Sequence, residues 1–177
     1  MVSQLEAPIL DSNRPPYIIE GLVQVFTCQH RSFFANVIAQ ALRIAGQGTP
    51  VLVVQFLKGG IAQGCDRPVT LGQHLDWLRC NLPRSVNAPD LEASEATSLL
   101  ELWEHTKTVV TQGKYTLVVL DELSLAINFG LIPEAEVLTF LRDRPSQVDV
   151  ILTGPDMPER ILEIADQITE LRRSYRP

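Results

Sequence analysis

The 177-residue chain has no run of eighteen apolar residues, so no segment is expected to cross a bilayer as a helix. It also lacks a positive balance: 15 lysines and arginines face 21 acids, for a net charge of −6. Nucleic-acid binders usually carry a basic field, and this balance argues against that class. The basic tail of Arg172, Arg173 and Arg176 is too short to reverse it. Cysteine is scarce as well. Cys28, Cys65 and Cys80 are odd in number, widely spaced and never in a C-x-x-C arrangement. Neither a disulfide framework nor a cysteine zinc site is expected. His74 and His105 stand at no metal-ligand spacing from any cysteine. There is no internal repeat and no low-complexity tract. Residues 1–16 have neither a signal-peptide nor a transit-peptide pattern, and the simplest expectation is a cytoplasmic protein. Their prolines and polar residues predict a flexible arm over residues 1–20, followed by one domain over 21–177.

What is present is an ordinary globular balance, 45% hydrophobic and 20% charged, in a chain long enough for one sizeable core. Residues 22–27 read as a short apolar strand. Cys28 to Ser32 form a polar connection, and Phe33 to Ala45 carry helical spacing through Val37, Ile38, Ala41 and Leu42. Gly46 and Gly48 stop that helix. Residues 50–56 are apolar without alternation, as in a strand covered on both faces. Two such strands joined by a helix predict a β-α-β unit in a parallel sheet. Lys58-Gly59-Gly60 then opens a loop at the strand's C-terminal edge, the usual ligand side. Residues 61–90 are punctuated by glycine and proline and predict little beyond a short strand over 75–80. Residues 91–111 predict a helix with a stripe of Leu99, Leu102, Trp103, Thr106 and Val110, and with its glutamates elsewhere. Further strands are expected over 115–122, 148–153 and 167–172, and helices from 132 or 133 to 144 and over 158–165.

Two places carry chemistry. The first is the strand–loop–helix at residues 22–46, where nucleotide-binding α/β domains place a phosphate loop. A standard loop of that kind reads G-x-x-x-x-G-K-[ST]. This one has no glycine and no lysine, and Phe33-Phe34 stand where Lys-Thr is expected. The second is Asp121-Glu122 after four apolar strand residues. A strand-end acid is costly unless it faces a crevice and is hydrogen-bonded or metal-bound. In phosphate-loop enzymes such an aspartate holds magnesium and its neighbour handles a reactant. The alternative is an internal ion pair of Asp121 with Lys58 or with Arg31. Cys28, at the mouth of the first loop, reads either as a packed thiol or as a reactive one near a helix start.

An ordered series of segments resembles the phosphate-loop type of ATP:corrinoid adenosyltransferase. The segments are residues 25–27, 41–48 with 51–59, 115–122 with Ala126 and 129–131, Arg144-Pro145, 150–154, Ala165-Asp166 and Thr169-Glu170. The resemblance implies a phosphate-loop NTPase-like α/β fold: a single three-layer domain around a mostly parallel sheet. It implies a transferase that binds MgATP and a corrinoid reduced to cobalt(I), whose cobalt attacks the ribose C5′ of ATP and releases triphosphate. It also implies a homodimer. In its terms Asp121 and Glu122 are the catalytic acids, with Asp121 also holding the metal. Thr27, Cys28, Gln29, His30, Arg31, Ser32 and Lys58 are the cofactor-binding groups.

The departures from that pattern point one way. Cys28, His30 and Ser32 replace loop glycines, and Phe33 and Phe34 replace the lysine and hydroxyl that face phosphate and magnesium. Arg31 is the loop's one formal cation. Pro155 replaces an arginine after the strand over 148–153, and Leu123, Ser124 and Leu125 replace aromatic or polar positions. Family members generally continue past the position of Pro177. Glycine lets backbone N–H groups turn toward phosphate at close range, and side chains at three such places should block it. The expectation is therefore weak or absent binding of ATP and magnesium. Three readings are compatible with these residues: a noncatalytic relative that senses a corrinoid or a nucleotide, an active adenosyltransferase with an unusual phosphate site, and a scaffold that uses the fold alone.

Overall fold

Val51–Gln55 and Leu117–Asp121 are buried at every position, which requires a sheet covered on both sides. The computed structural model describes residues 20–61 and 63–172 and provides such a sheet. Of the expected N-terminal arm, all but Glu20 lies outside the described residues, as does the tail after Arg172. In chain order the elements are β1 Val23–Cys28, α1 Ala35–Gly46, β2 Val51–Gln55, β3 Val69–Leu71 and β4 Leu75–Arg79. There follow α2 Ala93–Thr111, β5 Leu117–Asp121, α3 Leu123–Asn128, α4 Glu134–Asp143, β6 Asp149–Pro155, α5 Glu159–Ile164 and β7 Gln167–Leu171. Among the described residues the sheet order is β3-β4-β2-β5-β6-β1-β7, parallel throughout except for β3 against β4.

Alternation along each strand divides the core in two. Val51 and Val53, Leu117 and Val119, and Ile151 face α1 with Val37, Ile38 and Ala41. Leu52 and Val54, Val118 and Leu120, and Val150 and Leu152 face α2 to α5 with Trp103, Leu123, Leu141 and Ile161. The result is one three-layer α/β domain of the phosphate-loop NTPase-like class. No described helix is long and apolar enough to cross a membrane.

The strand–helix–strand prediction holds: both strands run parallel in one sheet, although they are not neighbours in it. β1 and β2 are parallel, yet β5 and β6 lie between them. Strong apolar character made both strands legible, but it carries no information about which buried strand neighbours which. The α2 stripe is buried as expected, with one addition: Glu95 lies on the buried side. It is accommodated because the Arg84 guanidinium and the Glu92 N–H both donate to its carboxylate, at 3.1 and 3.0 Å. Glu122 is not a strand residue. It precedes α3 in a left-handed conformation, φ 61°, and ends β5 abruptly. Pro133 sits just before α4 rather than in its first turn. β3, three exposed residues, left no sequence signal.

Candidate functional site

Six strands run parallel, so the C-terminal ends of β1, β2, β5 and β6 open on one edge, where ligands of such sheets bind. Asp121, the last residue of β5, is 2% exposed and would be costly there without partners. It has three. Gln55 Nε2 and Lys58 Nζ each donate to its Oδ2 at 2.7 Å, and the Thr153 hydroxyl donates to its Oδ1 at 2.8 Å. Gln55 is itself buried at the end of β2, and its Oε1 accepts from Trp77 Nε1 at 3.0 Å and Arg79 Nε at 2.7 Å. The Asp121 carboxylate is therefore enclosed by protein donors contributed by β2, the loop after it, and β6.

Glu122, 3% exposed, belongs to the next layer of the same crevice. A non-glycine residue at positive φ costs on the order of 1–3 kcal/mol and persists only where its surroundings fix it. Here the Glu122 N–H donates to the Thr153 hydroxyl oxygen at 3.1 Å. Its carboxylate receives Arg31 in a fork, Nε to Oε1 and Nη2 to Oε2, both at 2.6 Å. Arg31 Nη1 donates further to the Val86 carbonyl at 2.7 Å and to Asn87 Oδ1. The Glu122 hydrogen bonds hold the guanidinium above its usual pKa, against the opposing effect of burial. Arg31 thus ties the first loop to the strand-end acid and to the 81–90 segment. That segment is anchored in turn by the Val86 N–H on the Leu57 carbonyl at 2.9 Å and by Arg84 on Glu95.

The remaining predicted groups separate. Thr27 reaches across to β6, its hydroxyl donating to the Gly154 carbonyl at 2.9 Å. Gly154, φ 136°, can have no side chain: a Cβ would lie 2.1 Å from Ser124 Oγ. Cys28 is buried, and its thiol donates to the His30 carbonyl at 2.8 Å, which is the packed reading. Among the described residues, Gln29, His30 and Ser32 make no hydrogen bond to the acids. With Cys28 and Phe33 they line an open cleft of about 610 Å³, closed on its far side by Glu170, Leu171 and Arg172. The two phenylalanines differ. Phe34 is 1% exposed beneath α1, whereas Phe33 is 58% exposed, with Lys58 Nζ 4.6 Å from its ring centre.

Of the predicted residues, the fold brings Asp121, Glu122, Arg31 and Lys58 into one network and places Cys28, Gln29, His30 and Ser32 on the neighbouring cleft. Gln55, Thr153 and Asn87 were missed. For Gln55 a signal existed: it is the one polar residue in a strand buried on both faces, and such a residue must find partners. Asn87 lies in the punctuated stretch and left none.

The family model described as ATP:corrinoid adenosyltransferase BtuR/CobO/CobP matches residues 19–177. The corrinoid adenosyltransferase of Escherichia coli (strain K12) is 31% identical over 152 residues, 86% of this chain and 76% of that protein. That of a Sinorhizobium species is 28% identical over 170 residues, 89% and 75% of the two chains. A Nostoc protein is 33% identical over 133 residues, 72% of this chain but 35% of its own length. With a match across nearly the whole described domain, and strand-end acids at the ligand edge of the expected sheet, the chain belongs to the ATP:corrinoid adenosyltransferase family.

Proposed function

We propose that this chain is a noncatalytic member of its family, one that keeps the scaffold and senses or holds a corrinoid without displacing triphosphate from ATP. The observation that carries this reading is the internal neutralisation of both strand-end acids, Asp121 by Lys58 at 2.7 Å and Glu122 by Arg31 at 2.6 Å. A magnesium–triphosphate site needs a free carboxylate, a free cation and inward backbone N–H groups. Here the Asp121 oxygens accept from Gln55, Lys58 and Thr153, and the cation of the first loop is bound to Glu122. No glycine lies between Cys28 and Phe34 to let the backbone approach phosphate. The residues present do not fit MgATP. The cleft beside them presents Phe33 and Leu171 among polar and charged groups, an apolar surface on which part of an amphipathic ring could rest.

Calorimetric titration with MgATP, followed by an adenosylation assay on reduced cobalamin, tests this directly. The expected result is no saturable MgATP binding in the micromolar range, no adenosyl product, and retained corrinoid binding. Turnover by the pure protein would establish the active alternative. Failure to bind either ligand would leave only the scaffold role.

A further inference from the structure

We propose that the edge strand β7 pairs antiparallel with β7 of a second copy of this chain, across a two-fold axis at Thr169, so that two seven-stranded sheets join into one. This surface is independent of the ligand reading above.

β7 closes one edge of the sheet, and among the described residues its one strand neighbour is β1. Alternate N–H and C=O groups along β7 therefore face away from β1, a ready template for another strand. Proteins usually blunt such an edge with proline, lysine, a bulge or short length. The opposite edge uses the last of these, since β3 is three residues long. β7 uses none. Gln167–Leu171 holds no proline or lysine and runs in unbroken register beside Gln24 to Cys28. Its apolar side chains are open to solvent, Ile168 51% and Leu171 42% exposed. By register Ile168 lies on the face of Val25 and Leu171 on that of Cys28, so apolar surface is exposed on both sides of the sheet edge. Exposed Phe33 extends the second side, lining one cleft with Leu171.

The charges along the edge are self-complementary, and they fix the register. In a two-fold antiparallel pair one residue faces its own copy and the others pair symmetrically about it. An axis at Ile168 would set Asp166 opposite Glu170 of the partner subunit at both ends. An axis at Glu170 would set that acid against its own copy. Like charges directly opposite are destabilising. An axis at Gln167 or Leu171 overlaps only part of β7 with its copy. The axis at Thr169 uses the whole strand and avoids every like-charge pair. It sets Asp166 opposite Arg172 of the partner subunit at both ends, and Ile168 opposite Glu170 of the partner subunit. The two Ile168 side chains become diagonal neighbours on one face. The end charges are available for this. The Arg172 side chain is 81% exposed and pairs with Glu170 of its own strand alone among the described residues. Asp166 accepts the Val23 N–H on Oδ2 at 2.7 Å, and among the described residues its Oδ1 has no partner.

Sedimentation velocity over a micromolar concentration series should show the wild-type chain as a dimer. Ile168→Glu sets like charges opposite each other in two symmetric pairs and should raise the dissociation constant about tenfold. Ile168→Lys sets opposite charges there and should leave the dimer intact. Ile168 is exposed, so both variants should keep the wild-type circular dichroism. Cross-linking reads the register. In a Cys65→Ser background, where the remaining native thiols are buried, Thr169→Cys should oxidise to a disulfide-linked dimer. Facing residues have Cα atoms about 4.5–5.5 Å apart, within the roughly 4.4–6.8 Å that a disulfide spans. Gln167→Cys should not cross-link, because the offset of four residues holds its two copies about 14 Å apart. A monomeric wild type would overturn the proposal. So would equal weakening by Ile168→Glu and Ile168→Lys, a dimer that neither variant changes and Thr169→Cys does not cross-link, or cross-linking of Gln167→Cys as readily as Thr169→Cys.

Discussion

At the scale of single residues, adjacent side chains of one type do different work here. Phe33 and Phe34 read alike in sequence, yet the start of α1 turns one out and one in. Truncating buried Phe34 removes a ring from the layer between α1 and the sheet, and Phe34→Ala should cost about 3–5 kcal/mol in urea unfolding. Phe33→Ala loses only an exposed ring and its contact with Lys58, and should cost less than about 1 kcal/mol. Equal costs would mean that the two rings are not placed as described. The contrast also bears on attempts to rebuild a phosphate loop: a Lys-Thr pair at these positions would install a hydroxyl in the apolar core. Cys80 shows the same dependence on place. Burial pushes its thiol up to about 12, so it is a packed group rather than a nucleophile.

At the scale of elements, the start of α2 does more than begin a helix. Glu95 receives the Glu92 N–H and the Arg84 guanidinium, and Arg84 also donates to the Asp90 carbonyl. This fixes the segment that presents Val86 and Asn87 to Arg31. The Glu92 N–H first, and Arg84 second, hold the Glu95 carboxyl below the usual glutamate range. A depressed folded-state value contributes stability that is fully present above the unfolded value, near 4.3, and is lost as pH falls through the lowered one. Glu95→Gln should therefore be less stable than wild type at neutral pH, and the gap should narrow as the pH is taken below about 4. Parallel stability curves across that window would show that Glu95 has no such linkage. The strand-end network follows the same logic: no single element owns the site, because β2, β5, β6 and the loops that carry Arg31, Lys58 and Val86 with Asn87 all supply donors or acceptors.

At the scale of the whole molecule, the two apolar layers share the strands between them, so neither can unfold alone without exposing the other. Trp103 lies in the layer under α2, and Trp77 packs against the opposite one. In Trp103→Phe and Trp77→Phe variants the remaining tryptophan reports one layer. Its fluorescence midpoint in urea should coincide with that of far-ultraviolet circular dichroism in the same protein. Separated midpoints would indicate independently unfolding layers.

Unbroken apolar runs at 51–54, 117–120 and 150–152 determined by themselves that this chain forms a doubly covered sheet, and the α2 stripe determined which side of that helix is buried. The order of segments carried the family. Strand order, the left-handed turn at Glu122 and the burial of Glu95 were decided only in three dimensions. So was the choice that pairs Lys58 with Asp121 and Arg31 with Glu122. The reason is physical: hydrophobic periodicity is a property of neighbours along the chain. A buried carboxylate instead takes its character from whichever donors distant segments bring within 3 Å, as Gln55, Lys58 and Thr153 do for Asp121.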